Sequence, residues 1–211
     1  MKALLTLATA SVVVAGSLGL AAIASPATEP TPAAFPVLSD GTTYAIDPTH
    51  SQVLFRIKHL GVSYNYGRFN DVSGTVVIDE DRASKSSIEV VVKADSVDTN
   101  NGNRDNHIKS PDFLSAKEFP TITFKSKKVT QKGNTWKVTG DLTLHGVTNE
   151  IEVEVEHVGT GTGPRGGTLT GFETVFEIDP TDYEIRWIAE HPDMLGPEIR
   201  MIIAIEAAKQ G

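Results

Sequence analysis

Residues 147–158 read VTNEIEVEVEHV. Ile151, Val153 and Val155 alternate strictly with Glu150, Glu152, Glu154 and Glu156. Successive side chains of a strand point to opposite faces, so this segment has one apolar face and one acidic face. On a helix the same glutamates would be scattered around the whole circumference. The segment is a strand, and its carboxylates line an outward, solubilising face.

Weaker copies of this period-two pattern lie on both sides. Val53, Phe55 and Ile57 alternate with Gln52, Arg56 and Lys58, and Val76 and Ile78 continue a run entered through Gly74. Ile88, Val90 and Val92 share one register, and Ile122 and Phe124 share another. Trp136, Val138, Leu142 and Leu144 oppose Lys137, Thr139, Asp141 and Thr143, while Phe172, Thr174, Phe176 and Ile178 oppose Glu173 and Glu177. The run from Ile199 to Ala207 is apolar on both faces in places, as a covered strand or a subunit contact would be. Turn residues fall between these runs, at Asp79-Glu80-Asp81, Lys132-Gly133-Asn134, His145-Gly146 and the loop 159–167. Seven or eight one-faced strands with short connections bury that face only in a barrel or a sandwich.

The interval 98–119 breaks the alternation and is rich in Asn and Asp. Thr99 reads as the cap of a short helix over 100–109. Ser110-Pro111-Asp112 reads as a second helix start, with Ser as cap, Pro in the first turn and Asp favourable there. Phe113, Leu114 and Phe119 would then face inward. The expectation is an all-β body with a helical insertion near 99–117.

Composition narrows the chemistry. The chain has 211 residues and no cysteine, which removes disulfides, thiolate metal sites, a cysteine nucleophile and a lipid-modified cysteine anchor. Its 19 basic and 27 acidic residues give a net charge of −8, so phosphate backbones and anionic leaflets are repelled overall. Nucleic acid is therefore not an expected partner, although a local basic patch remains compatible with an anionic head group. Met1-Lys2 followed by an uncharged run through Ala24, closing on Ala22-Ile23-Ala24, reads as a cleavable export signal over 1–24. A run of this length also suffices for an uncleaved anchor, but interspersed Thr, Ser and Gly favour cleavage. The Pro/Ala-rich tract 25–41 reads as a flexible tether before a folded domain over 42–211. The expected location is periplasmic or secreted, with no stable membrane span after cleavage.

The ordered motifs of that domain resemble the YceI-like, or polyisoprenoid-binding, proteins of the bacterial envelope. The match runs through Tyr44-Ala45-Ile46-Asp47, His50-Ser51, Phe55, His59, Gly67-Arg68-Phe69 and Gly74. It continues through Arg104-Asp105-Asn106-His107-Ile108, Ser110-Pro111-Asp112-Phe113-Leu114 and Phe119-Pro120-Thr121-Ile122-Thr123-Phe124. Gly140 through Thr148 and Asp182-Tyr183 complete it, so that nearly all of 44–207 is covered. The resemblance implies an extended, lipocalin-like eight-stranded antiparallel β-barrel. It also implies one long amphiphilic ligand, such as an isoprenoid quinone or prenyl pyrophosphate, bound without chemistry and sequestered or ferried. A homodimer is compatible with it. Two departures stand out: Glu184 follows Asp182-Tyr183 where the family has glycine, and 187–197 is longer or more irregular. Both point to a change at one barrel end.

An eight-stranded barrel either fills with side chains or holds one small ligand, and strand patterns alone fit both. A packed envelope interaction protein therefore stands beside the lipid carrier, and the resemblance favours the hollow form. The apolar registers nominate Phe55, Ile57, Phe69, Val76, Ile78, Val90 and Phe124 for the lumen. Trp136, Leu142, Leu144, Phe172 and Phe176 join them, with Phe113 and Phe119 from the insertion. A head group at the mouth needs donors; Arg104 and Lys109 come first, with Arg56, Lys58 and Arg68 behind them. The six histidines have no compact metal-ligand spacing, and His50 and His59 read as opposite faces of one strand, so no metal or cofactor is expected. A nucleophile elbow, a phosphate loop and a zincin helix are all missing from the sequence, and Asp105 and His107 stand two apart in a helix without facing each other. A histidine-based metal enzyme is the least supported reading.

Overall fold

The computed structural model describes residues 41–211, so the expected export signal and residues 25–40 of the tether lie outside the described residues. Eleven strand segments form one antiparallel sheet: β1 (Thr42–Ile46), β2 (Gln52–His59), β3 (Ser63–Phe69), β4 (Val72–Ile78), β5 (Ser87–Lys93), β6 (Val97–Asp98), β7 (Thr121–Lys132), β8 (Thr135–Leu144), β9 (Val147–Thr162), β10 (Thr168–Ile178) and β11 (Leu195–Lys209). Three pairs of segments are single strands broken by short kinks. β1 and β2 both run along β11, β3 and β4 run along β2 and β1, and β6 and β5 run along β3 and β4. The result is a closed barrel of eight antiparallel strands, each paired with its sequence neighbour, as the family resemblance implied.

β9 shows why the pattern folds this way. Ile151, Val153 and Val155 stand opposite Gly140, Val138 and Trp136 of β8 and face inward. The glutamates face out, where Lys137 pairs with Glu152 at 2.8 Å and Lys127 with Glu150 at 3.1 Å. β9 runs to Thr162, four residues beyond Val158, so the loop expected over 159–167 shrinks to 163–167. Thr160 and Thr162 pair with Thr170 and Thr168, and a closing ladder satisfies those backbone groups better than an open loop would.

The helical insertion is shorter than its sequence pattern. Helix α1 spans Gly102–Ile108 and is capped by Asn101, whose side chain accepts from the Arg104 N–H at 3.0 Å. Thr99 does not cap it, because its hydroxyl is engaged by the Asp105 carboxylate and by Arg104 Nε. Ser110-Pro111-Asp112 starts no second helix; Phe113 and Ser115 donate back to the Ser110 carbonyl, and Ser115 takes a left-handed backbone (φ 44°). A second short helix, α2 (Trp187–Glu190), occupies the stretch expected to be irregular. At the other departure, Glu184 sits at φ 59°, in the left-handed region that glycine enters freely, so the turn keeps the glycine geometry with a side chain in place. His50 lies in the turn before β2, not on the strand, which removes the expected two-faced pairing with His59. No helix among the described residues is long and apolar enough to cross a membrane.

Candidate functional site

The two ends of the barrel interior differ. At one end the rings of Trp136, Phe172 and His157 meet with centroids 5.1–6.2 Å apart. Val129, Val76 and Val138 are packed among them at 1 % exposure or less, so this end is solid. Beyond it the strands enclose a cavity of about 470 Å³, within the usual range of small-molecule sites. Inward residues of every strand from β2 to β5 and β7 to β11 line it, and nearly all of them are apolar.

Two glycines keep the space open by letting rings lie against the wall. A Cβ on Gly67 would fall 2.2 Å from Phe55 Cζ, and one on Gly140 would fall 2.6 Å from Phe124 Cζ. A larger residue at Gly67 drives the Phe55 ring toward the lumen, and one at Gly140 meets the Lys125 carbonyl as well as the Phe124 ring.

The far end is covered by the insertion and by α2. The rings of His107, Phe113 and Trp187 lie 5.0–5.5 Å from one another, and His191 stacks on Trp187 at 4.0 Å. His107 is oriented by Asp112, 2.9 Å from its Nε2. Polar atoms reach the cavity here from His59, Asn65, Thr99, Arg104 and His107. Hydrocarbon therefore fits the middle of the barrel, and a polar group fits the helical end.

Of the residues nominated from sequence, Phe55, Ile57, Phe69, Val76, Val90, Phe113, Phe124, Leu142, Leu144, Phe172 and Phe176 line the cavity. Ile78 and Trp136 do not; they belong to the packed end. Phe119 does not line it either; its ring meets that of His145 in a T-shaped contact and covers Gly146. Arg104 borders the cavity, but two of its donors are taken by Thr99, Nε by the hydroxyl at 2.8 Å and one terminal nitrogen by the carbonyl at 2.7 Å. Lys109 ends α1 without lining the cavity. Arg56, Lys58 and Arg68 alternate with inward Phe55, Ile57 and Gly67 and so stand on the outer face; the Arg56 guanidinium lies 4.3 Å over the Tyr64 ring. The wall also includes residues that were not nominated. Ile199, Met201, Ile203 and Ile205 of β11 keep a strict period of two that was hidden by apolar residues on both faces. Ile185, Trp187 and Ile188 come from a stretch with no periodicity to read.

Among the described residues one group of three ligand-type side chains comes together, Asp47, His50 and Glu206, outside the cavity. His50 Nδ1 lies 2.7 Å from Asp47 and 3.6 Å from Glu206. The Asp47 hydrogen bond, with the charges of both carboxylates, raises the histidine above its ordinary value, and the same bond lowers Asp47. This is an exposed ion pair tying the turn before β2 to β11.

A YceI-like domain model matches residues 44–207. A UPF0312 protein of Vibrio parahaemolyticus is 43 % identical over 155 residues, covering 72 % of this chain and 82 % of its own. The crystal structure of Burkholderia cenocepacia BcnA superposes with a TM-score of 0.69 at 22 % identity, over 76 % of this chain and 98 % of that one, and speaks to the fold alone. So does a polyisoprenoid binding domain from Saccharophagus degradans, implicated in plant cell wall breakdown, with a TM-score of 0.61 at 17 % identity over 80 % of this chain and 99 % of that one.

Proposed function

Since this chain belongs to the YceI-like family, we propose that it is an exported, non-enzymatic carrier that holds one polyisoprenoid-type lipid in its barrel. The observation that carries this reading is the cavity of about 470 Å³, lined mostly by apolar side chains and closed by packed rings at one end, with His59, Asn65, Thr99, Arg104 and His107 grouped toward the helical end. That gradient matches an amphiphile with a hydrocarbon tail and a single head group. Each ~100 Å² of tail surface removed from water contributes about 2.5 kcal/mol, so a few isoprene units offset the cost of association without any hydrogen bond. His59, Asn65, Arg104 and His107 line the end where a quinone or pyrophosphate head would sit. The Saccharophagus domain, named for polyisoprenoid binding, supports this choice of tail. Residues 1–24 supply the export step and place the carrier in the periplasm or outside the cell, where it sequesters or moves its lipid.

The test is organic extraction and mass spectrometry of protein purified from its host, followed by titration of the stripped protein with a prenyl lipid. About one prenyl lipid per chain is expected. Folded protein that arrives empty and takes up none in the titration would overturn the reading.

A further inference from the structure

Five of the seven large apolar side chains that stand exposed among the described residues gather at one place: Leu60, Val62, Tyr64, Tyr66 and Met194. Scattered exposed apolar residues need no explanation, but a cluster does. Leu60 and Val62 form the tip of the β2–β3 hairpin, at 52 % and 83 % exposure, and the Leu60 N–H donates to the Met194 carbonyl at 2.9 Å. Tyr66 and Met194 also border the cavity, so the patch is continuous with its helical end.

The tip is built against local preference. Leu60 has φ 52° and Gly61 has φ 70°, a turn that asparagine and glycine enter most easily. The other four non-glycine residues in that region, Asn100, Ser115, His145 and Glu184, are all polar. Leu60 is the one apolar side chain among these five, and it is turned to water.

The hairpin itself is basic within an acidic chain. Residues 48–70 contain no Asp or Glu, although the protein has 27, and they include Arg56, Lys58 and Arg68. Lys58 and Arg68 are exposed on the outer face beside the tyrosines. Nearby acids come from other elements: Asp98 beside Arg68, Asp193 before Met194, and Glu198 on β11. A second copy of this chain packed symmetrically on the hairpin would bring Arg56 and Lys58 against their own counterparts. An anionic lipid surface would complement them, with the aliphatic tip below the head groups and the tyrosines at their level.

We propose that the β2–β3 hairpin tip docks the barrel on an anionic bilayer surface, with the cavity end facing the lipid. The inference rests on the carrier reading and says where the lipid enters and leaves. Opposed charge over the rest of the chain orients the approach.

The experiment compares the host-purified protein with the variant Leu60→Asn/Val62→Ser, both carrying the same N-terminal residues. Phosphatidylcholine vesicles, with and without phosphatidylglycerol, serve as the probe. Asparagine suits the left-handed backbone, so the variant keeps its fold, as a thermal melt checks. Partition onto the mixed vesicles should fall about tenfold or more. Prenyl-lipid transfer between vesicles should slow alongside it, while lipid bound at equilibrium from detergent stays unchanged. Lys58→Gln should weaken partition about fivefold on the anionic vesicles only. Equal partition of the variant and the wild type overturns the proposal. So does self-association without vesicles that the variant abolishes, because it assigns the patch to a second copy. Intact partition by a wild type that holds no prenyl lipid keeps the docking surface and sinks the carrier reading.

Discussion

Replacing Phe124 with aspartate puts a carboxylate into the middle of the lumen wall. Phe124 packs against both halves of the interior, and its ring lies over Gly140 beside the cavity. Loss of the phenyl surface removes about 1.5–3 kcal/mol of contact with a bound tail. An unpaired carboxylate against hydrocarbon costs several kcal/mol more, whereas in the ligand-free barrel water entering the cavity solvates it. The penalty therefore falls mainly on the complex: about 4 kcal/mol or more, roughly a thousandfold in Kd. Phe124→Leu keeps the wall apolar and should cost tenfold or less. Trp187 lies at the cavity, so tryptophan fluorescence reports a prenyl-lipid titration directly. Circular dichroism verifies the barrel in both variants. An aspartate variant that is folded and binds with wild-type affinity would refute the assignment of a tail to this stretch of wall.

At the packed end, Trp136→Ala should lower stability by about 3–5 kcal/mol in urea unfolding, because Trp136 is only 2 % exposed. Its lipid affinity, where the barrel survives, should not fall; a matching loss of affinity would mean the tail reaches this end. Gly67→Ala should push the Phe55 ring into the lumen, costing about 1–3 kcal/mol of stability and reducing lipid capacity; unchanged capacity in a folded variant counts against the close approach. His50 should titrate above its ordinary value by NMR, and Asp47→Asn should lower it toward that value. The pair's stabilisation is complete below the unfolded histidine pKa, near 6.5, and is lost as pH rises through the raised value. On the acid side it is lost as pH falls through the lowered Asp47 pKa. A histidine titration that ignores the substitution would show that the hydrogen bond does not form.

The period-two alternation of residues 150–156, repeated along the chain, was enough for strands with one buried face, because a strand's side-chain direction depends only on its own backbone. The same parity already placed Arg56 and Lys58 outside, opposite in phase to Phe55 and Ile57, yet it could not say that this outer face adjoins the mouth. The helix boundaries near residue 100 were less legible. Thr99 looks like a cap until Asp105, six residues on, takes its hydroxyl and leaves Asn101 to serve. Trp136 and Leu142 share one face of β8, and nothing local distinguishes them, but one is buried in a plug and the other lines a void. Whether a barrel is filled depends on which side chains from opposite strands reach the same level of the axis. That is a meeting of residues far apart in the chain, and it exists only once the last strand has closed on the first.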